Sequence, residues 1–277
     1  MTEIKNVAEI GYKSKIDWAR IALYTICGLI AFYLILPILI VFPMSFSSAE
    51  FLAFPPPGFS LKWFQRYFRD PSWLQPTYVS LQIATLTMLL SSALGTLAAI
   101  SLVRSRFWGK AVANSLILAP MIIPVIFISI ALYGFFSKIG LLGSRFGLVL
   151  GHTMVCVPFV VITVAASLKG FDESLEMAAM ICGATRLKAF MKITFPIIRP
   201  GMISGALFAF IISFDEIVIS MFLCGIETRT LPLKMWEGIR MEINPVIAAV
   251  STLLICLSAL LLVFAELVRR KTQKKLK

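Results

Sequence analysis

The chain has 277 residues, of which 59% are hydrophobic and 14% charged, and its mean hydropathy is +0.90. An ordinary soluble domain is roughly 45–50% apolar and roughly 25% charged, so disorder, a disulfide-stapled scaffold and most soluble enzymes are excluded. What remains is a polytopic membrane protein, and the net charge of +12 becomes a question of where 26 Lys and Arg residues lie.

A helix crosses the hydrocarbon core in about 20 apolar residues. Residues 1–20 form a polar N-terminal tail, and the first span runs near 21–43, with Trp18 and Tyr24 at its entrance like interfacial belt residues. Its apolar run exceeds the roughly 7–15 residues of a cleaved signal peptide's apolar region. Residues 50–70 form the first outer loop. Pro55-Pro56-Pro57-Gly58 there predicts extended chain, followed by a short amphipathic piece over 61–68. Phe51, Phe54, Phe59, Trp63, Phe64, Tyr67 and Phe68 make this loop aromatic. It either lies at the membrane surface or receives an external partner.

The second span is expected near 77–103 and carries a stripe of small residues, Ser91, Gly95 and Ala99. The third lies near 111–137 and contains Pro120 and Pro124. The fourth lies near 146–168 and contains Pro158 and His152. Each proline removes a backbone hydrogen bond and predicts a kink. A fifth span near 201–226 opens with a second stripe, Gly201, Gly205 and Ala209. Such stripes let helices approach closely in lipid, within one chain or between chains. The sixth span lies near 243–265, and residues 266–277 are a basic tail. These runs are continuous rather than alternating, which excludes a β-barrel.

Eighteen of the 26 basic residues fall in alternate segments: the N-terminal tail, 104–110, 169–200 and the C-terminal tail. Cytoplasmic loops carry such an excess, so both termini are expected in the cytoplasm, consistent with an even number of spans. Cys27, Cys156, Cys182, Cys224 and Cys256 show no CxxC and no pairing pattern, and read as small apolar residues.

Reactive chemistry is missing. There is one histidine, no HExxH, no Cys/His cluster, no G-x-S-x-G elbow and no phosphate-binding P-loop. No metal site, no catalytic residue and no cofactor is expected in this chain, so the energy for any pumping comes from elsewhere. His152 reads as an interfacial or intrabundle hydrogen-bonding residue. Asp215 and Glu216 stand in an otherwise apolar run, where a charge near the bilayer centre costs about 2.5–3.5 kcal/mol. As successive helical residues they would point about 100° apart, one toward a path and the other toward a partner. They either pair with basic groups or hydroxyls, or form an acidic site for a cationic substrate. No Lys or Arg lies inside the six spans, which favours an external cation or a neighbouring chain.

Residues 169–200 are the longest cytoplasmic segment. Asp172 is a good helix N-cap, and Glu173 and Glu176 suit a helix N-terminus. Gly183 allows a left-handed turn, a second short helix is expected near 184–193, and Pro196 and Pro200 are expected to end the hairpin. Met177, Met180, Ile181, Leu187, Phe190 and Met191 are many apolar groups for a solvated loop. They either pack back onto the bundle or enter a groove in a cytoplasmic protein.

This hairpin resembles the cytoplasmic signature of binding-protein-dependent ABC importer permeases. That signature is Glu-Ala-Ala, three residues, Gly, nine residues, then Ile-x-Leu-Pro. Here Met177-Ala178-Ala179 is followed by Gly183 and then by Ile193-Thr194-Phe195-Pro196, with Met177 and Phe195 departing from the pattern and Glu176 one residue out of register. Ser213-Phe214-Asp215-Glu216-Ile217-Val218-Ile219-Ser220, Thr230-Leu231-Pro232-Leu233-Lys234-Met235-Trp236 and Ile243-Asn244-Pro245-Val246-Ile247 resemble the second permease subunit of spermidine/putrescine importers (PotC-type). The resemblance implies an all-α polytopic membrane protein of six transmembrane helices with the type I ABC importer permease (MetI-like) fold and a coupling-helix hairpin between helices 4 and 5. It also implies a bacterial inner membrane location and a heterodimer of two permeases. Two copies of a cytoplasmic ATPase that binds ATP and Mg, and a periplasmic solute-binding protein, would complete the assembly. Met177, Ala178, Ala179, Gly183, Ala184, Leu187, Ile193 and Pro196 would then dock in the ATPase, and Asp215, Glu216, Phe214 and Ser213 would line the substrate path. Relatives also import other solutes, phosphonates and opine-like compounds among them. A secondary transporter or channel would explain the acids but not the hairpin, and a membrane enzyme would need the chemistry that is missing.

Overall fold

The computed structural model describes residues 18–241 and 244–275. Residues 1–17, 242–243 and 276–277 and the side chains of Trp18 and Ala19 lie outside the described part, as do most side chains of the basic tail. Among the described residues there is no strand, and Ser47 and Phe59 form an isolated bridge.

Helix α1 (Trp18–Ser45) is exposed from Arg20 to Leu39 and packs against the last helix, α12 (Val246–Lys275). So long an apolar face suits lipid rather than water. The chain then folds back, with Ser60 N donating to Phe46 O at 2.6 Å and Ser48 N to Gly58 O at 2.9 Å. The expected amphipathic piece forms as α2 (Lys62–Arg69). Its Trp63 and Tyr67 turn inward, Trp63 Nε1–H donating to Ser47 O at 2.9 Å. With Trp73, Leu231, Val246, Ile247 and Val250 they build an apolar cluster that joins α2 to the heads of α3 and α12 and to α11 (Leu231–Met241).

Asp70 caps α3 (Pro71–Arg104) by accepting from Ser72 N at 2.8 Å. At about 1.5 Å per residue this 34-residue helix is about 51 Å long, well beyond a hydrocarbon core of about 30 Å. The expected third span is broken. Helices α4 (Lys110–Ile122) and α5 (Val125–Lys138) meet at 104°. Pro124 has no N–H to continue the ladder and drives Ile123 into extended backbone, where its φ is −74° and ψ 127°. Pro120 lies inside α4 without breaking it.

Helix α6 (Arg145–Lys169) is the buried centre, flanked by α3 and α9 (Phe195–Asp215). Both small-residue stripes face it. A Cβ added at Gly95 would lie 2.6 Å from Val160 Cβ, and one at Gly205 would lie 3.0 Å from Val160 Cα. The stripes therefore serve contacts within this chain, and Val160 is the knob that both receive.

The cytoplasmic hairpin begins with α7 (Ser174–Ile181), where Asp172 Oδ1 accepts from Ser174 N at 2.9 Å. Gly183 has φ +89°, and the two bonds Ala184 N–Ala179 O and Gly183 N–Met180 O, each 3.0 Å, close a Schellman turn. The second arm differs from expectation. Helix α8 (Arg186–Ala189) runs through a π turn at Phe190–Thr194 straight into α9, so Pro196 and Pro200 do not end the hairpin. A proline ring clashes with the carbonyl four residues back, and the widened π turn before Pro196 relieves that clash. Arg186–Asp215 is thus one apolar helical rod.

The expected fifth span also ends early. Helix α9 stops at Asp215, and α10 (Val218–Leu223) begins after a break at Glu216, whose backbone is extended. Among the described residues five helices are long and apolar enough to cross a membrane, and the bent α4–α5 pair makes a sixth if it counts as one span.

Candidate functional site

The broken end of the fifth apolar segment is where buried polar groups converge. His152, on α6, is fully buried. Its Nδ1 lies 2.9 Å from Ser213 Oγ and 3.1 Å from Ser213 O, and its Nε2 lies 3.3 Å from Ser220 Oγ. Ser213 is in the last turn of α9 and Ser220 is in α10. A neutral imidazole has one donor and one acceptor nitrogen, so a single side chain joins both halves of the segment. Ser220 Oγ–H also reaches Glu216 O at 3.0 Å.

The two acids part at this break. Glu216 has extended backbone, φ −75° and ψ 113°. Its Oε1 accepts from Val218 N at 2.8 Å and Ile219 N at 3.0 Å, so it caps α10. The expectation that the acids stand as successive helical residues is corrected: the helix ends between them. Asp215 is exposed on the isolated chain and makes no hydrogen bond or ion pair with the described residues. Phe214 is half-buried, stacks on Phe210 with centroids 5.9 Å apart, and packs on the α2–α11–α12 cluster. Of the four residues expected on the path, Asp215 alone presents an unpartnered polar group, while Ser213, Phe214 and Glu216 hold the local structure.

The hairpin is inside out. Along α7 the buried residue is the acid Glu176, while Met177 and Ile181 are 54% and 87% exposed. Leu187 on the second arm is 73% exposed. Ala178, Gly183 and Pro196 are exposed, and Ala179, Ala184 and Ile193 are half-buried. The bonds of Asp172 to the Ser174 N–H and then to its hydroxyl hold that carboxyl below the usual range.

Glu176 is paired within the chain. Arg104, the last residue of α3, approaches Glu176 Oε2 at 2.8 Å, and Thr194 Oγ1–H donates to the same oxygen at 3.1 Å. No spacing pattern connects Arg104, Glu176 and Thr194, and the local signal was an acid flanked by apolar residues that turned out to be the solvent face. Among the described residues no group of His, Cys, Asp or Glu could hold a metal ion.

Residues 91–274 match the model of a protein family described as "Binding-protein-dependent transport system inner membrane component". The chain is 33% identical over 240 residues to the spermidine/putrescine transport system permease protein PotC of Haemophilus influenzae, covering 86% of this chain and 93% of that one. It is 35% identical over 230 residues to the putrescine transport system permease protein PotI of Escherichia coli, covering 80% and 82%. The fold matches a chain of the bacterial alginate ABC transporter crystallised with a periplasmic protein bound to alginate pentasaccharide. That match has a TM-score of 0.71 at 17% identity, over 92% of this chain and 96% of the other. With a family model spanning most of its length and relatives this similar, the chain belongs to the binding-protein-dependent transport system inner membrane components, as an ABC importer permease.

Proposed function

We propose that this chain is the permease subunit of an ATP-driven importer, forming half of the translocation path for a small cationic solute such as the polyamines spermidine or putrescine. A periplasmic binding protein delivers the solute, a second permease completes the path, and two copies of a cytoplasmic ATPase bind ATP and Mg and receive the α7–α8 knob. Both termini lie in the cytoplasm. The relatives' names support the solute class, and Asp215 is the observation that carries it on this chain. A carboxylate inside an apolar segment is expensive without a counter-charge, and this one is exposed and has no partner among the described residues. A second permease or a passing cation would supply that charge.

Mechanistically, closure of the ATPases moves the knobs, the bundle alternates its opening, and solute crosses between the two permeases. The exposed Met177, Ile181 and Leu187 support docking in an apolar groove rather than packing on the bundle. The test is uptake of labelled spermidine and putrescine by cells carrying Asp215→Asn. Uptake falls while co-purification with the ATPase is retained. Unchanged uptake kinetics would remove Asp215 from the path.

A further inference from the structure

The α7–α8 hairpin hangs on two turns, one at Gly170 and one at Gly183, and its apolar side faces outward. What ties it to the membrane helices is a buried three-way contact. Arg104 Nη2 lies 2.8 Å from Glu176 Oε2 and donates to Thr194 Oγ1 at 3.1 Å, and Thr194 Oγ1–H reaches Glu176 Oε2 at 3.1 Å. Glu176 is 9% exposed and Thr194 is fully buried. The Phe171 ring covers the guanidinium, its centroid 5.5 Å from Cζ. Each residue belongs to a different element. Arg104 ends α3, which is locked to α6 through Ala99, Gly95 and Val160. Glu176 is on the knob. Thr194 closes the π turn that continues as α9 and ends at Asp215.

We infer that Arg104, Glu176 and Thr194 form a strut through which the hairpin drives α3 and α9, so that a push on the knob reaches the broken end of the fifth segment. A buried ion pair is weak evidence for stability, since desolvation offsets much of its Coulomb gain, and fixing one arrangement is the better-attested use. With the strut open, a push on α7 is absorbed by rotation about the glycine turns. The inference rests on the proposed docking of the knob in an ATPase.

The experiment uses the whole importer reconstituted in proteoliposomes, and measures labelled spermidine transported per ATP hydrolysed. Glu176→Gln keeps the ATPase in the purified complex and keeps hydrolysis, while the transport-to-hydrolysis ratio falls about fivefold or more, the lower end of ordinary coupling. The exchanged pair Arg104→Glu with Glu176→Arg recovers part of the ratio. An unchanged ratio in Glu176→Gln overturns the strut. So does loss of the ATPase from the complex, which would mean that the pair merely shapes the docking surface. If the Glu176→Gln permease itself does not fold into the membrane, Thr194→Val decides: a lowered ratio supports the strut and an unchanged one overturns it. The docking reading fails separately. Gly183→Leu, which distorts the knob but leaves the ion pair, releases the ATPase if docking is right and retains it if docking is wrong.

Discussion

Replacing His152 by leucine removes the group that joins α9 to α10 while filling much of the same space. Two interhelical hydrogen bonds are lost, and such bonds average about 0.6 kcal/mol each in a membrane bundle. The larger effect is on Ser213. Its carbonyl lies in the last turn of α9, where no intrahelical N–H follows to satisfy it, and the residue is buried. Leaving that group unpaired costs about 1–3 kcal/mol. Ser220 is spared, because the Oγ–H it gives to Nε2 can turn to Glu216 O, 3.0 Å away. Together these give about 2–4 kcal/mol against the native junction, which corresponds to roughly 30–1000-fold in the population of an opened one. The readout is the thermal midpoint of the purified protein in detergent, beside spermidine uptake in cells. The midpoint falls by about 2–4 °C per kcal/mol for a chain of this size, and uptake falls with it. His152→Gln, which keeps a donor and an acceptor, recovers part of both. A midpoint for His152→Leu equal to wild type, or a glutamine variant no better than leucine, would refute the reasoning.

Gly201→Ala puts a methyl 2.7 Å from Thr163 O and closer still to Ser167 Oγ, and a backbone carbonyl cannot rotate away. Overpacking of about 1–3 kcal/mol outweighs the gain of about 1 kcal/mol in helix propensity, so the midpoint falls. Gly134→Ala, with nothing within 4 Å of the new methyl, raises it or leaves it unchanged, and the reverse order of the two variants would contradict the packing account. Glu216→Ala removes the cap of α10 and costs about 1 kcal/mol of stability. Asp215→Asn leaves stability intact and lowers uptake, so equal melting losses in the two would erase the distinction between them. Cys182, exposed at the end of α7, reacts with a membrane-impermeant maleimide in inside-out vesicles and is protected when the ATPase is bound. Labelling from the periplasmic face would reverse the proposed orientation.

The hairpin was legible locally. Asp172 as a cap, Gly183 as the left-handed turn and the excess of apolar side chains are all short-range features, and each has its counterpart in the structure. The small-residue stripes were legible as close-packing surfaces, though their common target, Val160, was not. Helix continuity was less legible. Pro196 and Pro200 suggest the end of the cytoplasmic loop before the fifth span, yet the helix passes through both. The kink that Pro124 predicts in the run at 111–137 is a full break at Ile123–Pro124, and the run at 201–226, with no proline to signal it, breaks after Asp215. Hydropathy sums a transfer free energy over a segment and is indifferent to whether the helix inside it bends. A break is tolerated at depth only where another part of the chain satisfies the freed backbone groups, and here those partners are His152 and the carboxylate of Glu216.

The amino-acid sequence by itself determined that the chain lives in a membrane, how many apolar runs it has, which loops are basic and that a helix–glycine–helix knob stands among them. Those properties are sums or short-range patterns, and they need no knowledge of what touches what. Tertiary structure decided the rest. It separated two adjacent acids into a cap and an unpartnered carboxylate, because a helix end fell between them. It also buried Glu176 and exposed its apolar neighbours, because Arg104 and Thr194, distant along the chain, arrive at the one side of α7 where a charge can be matched.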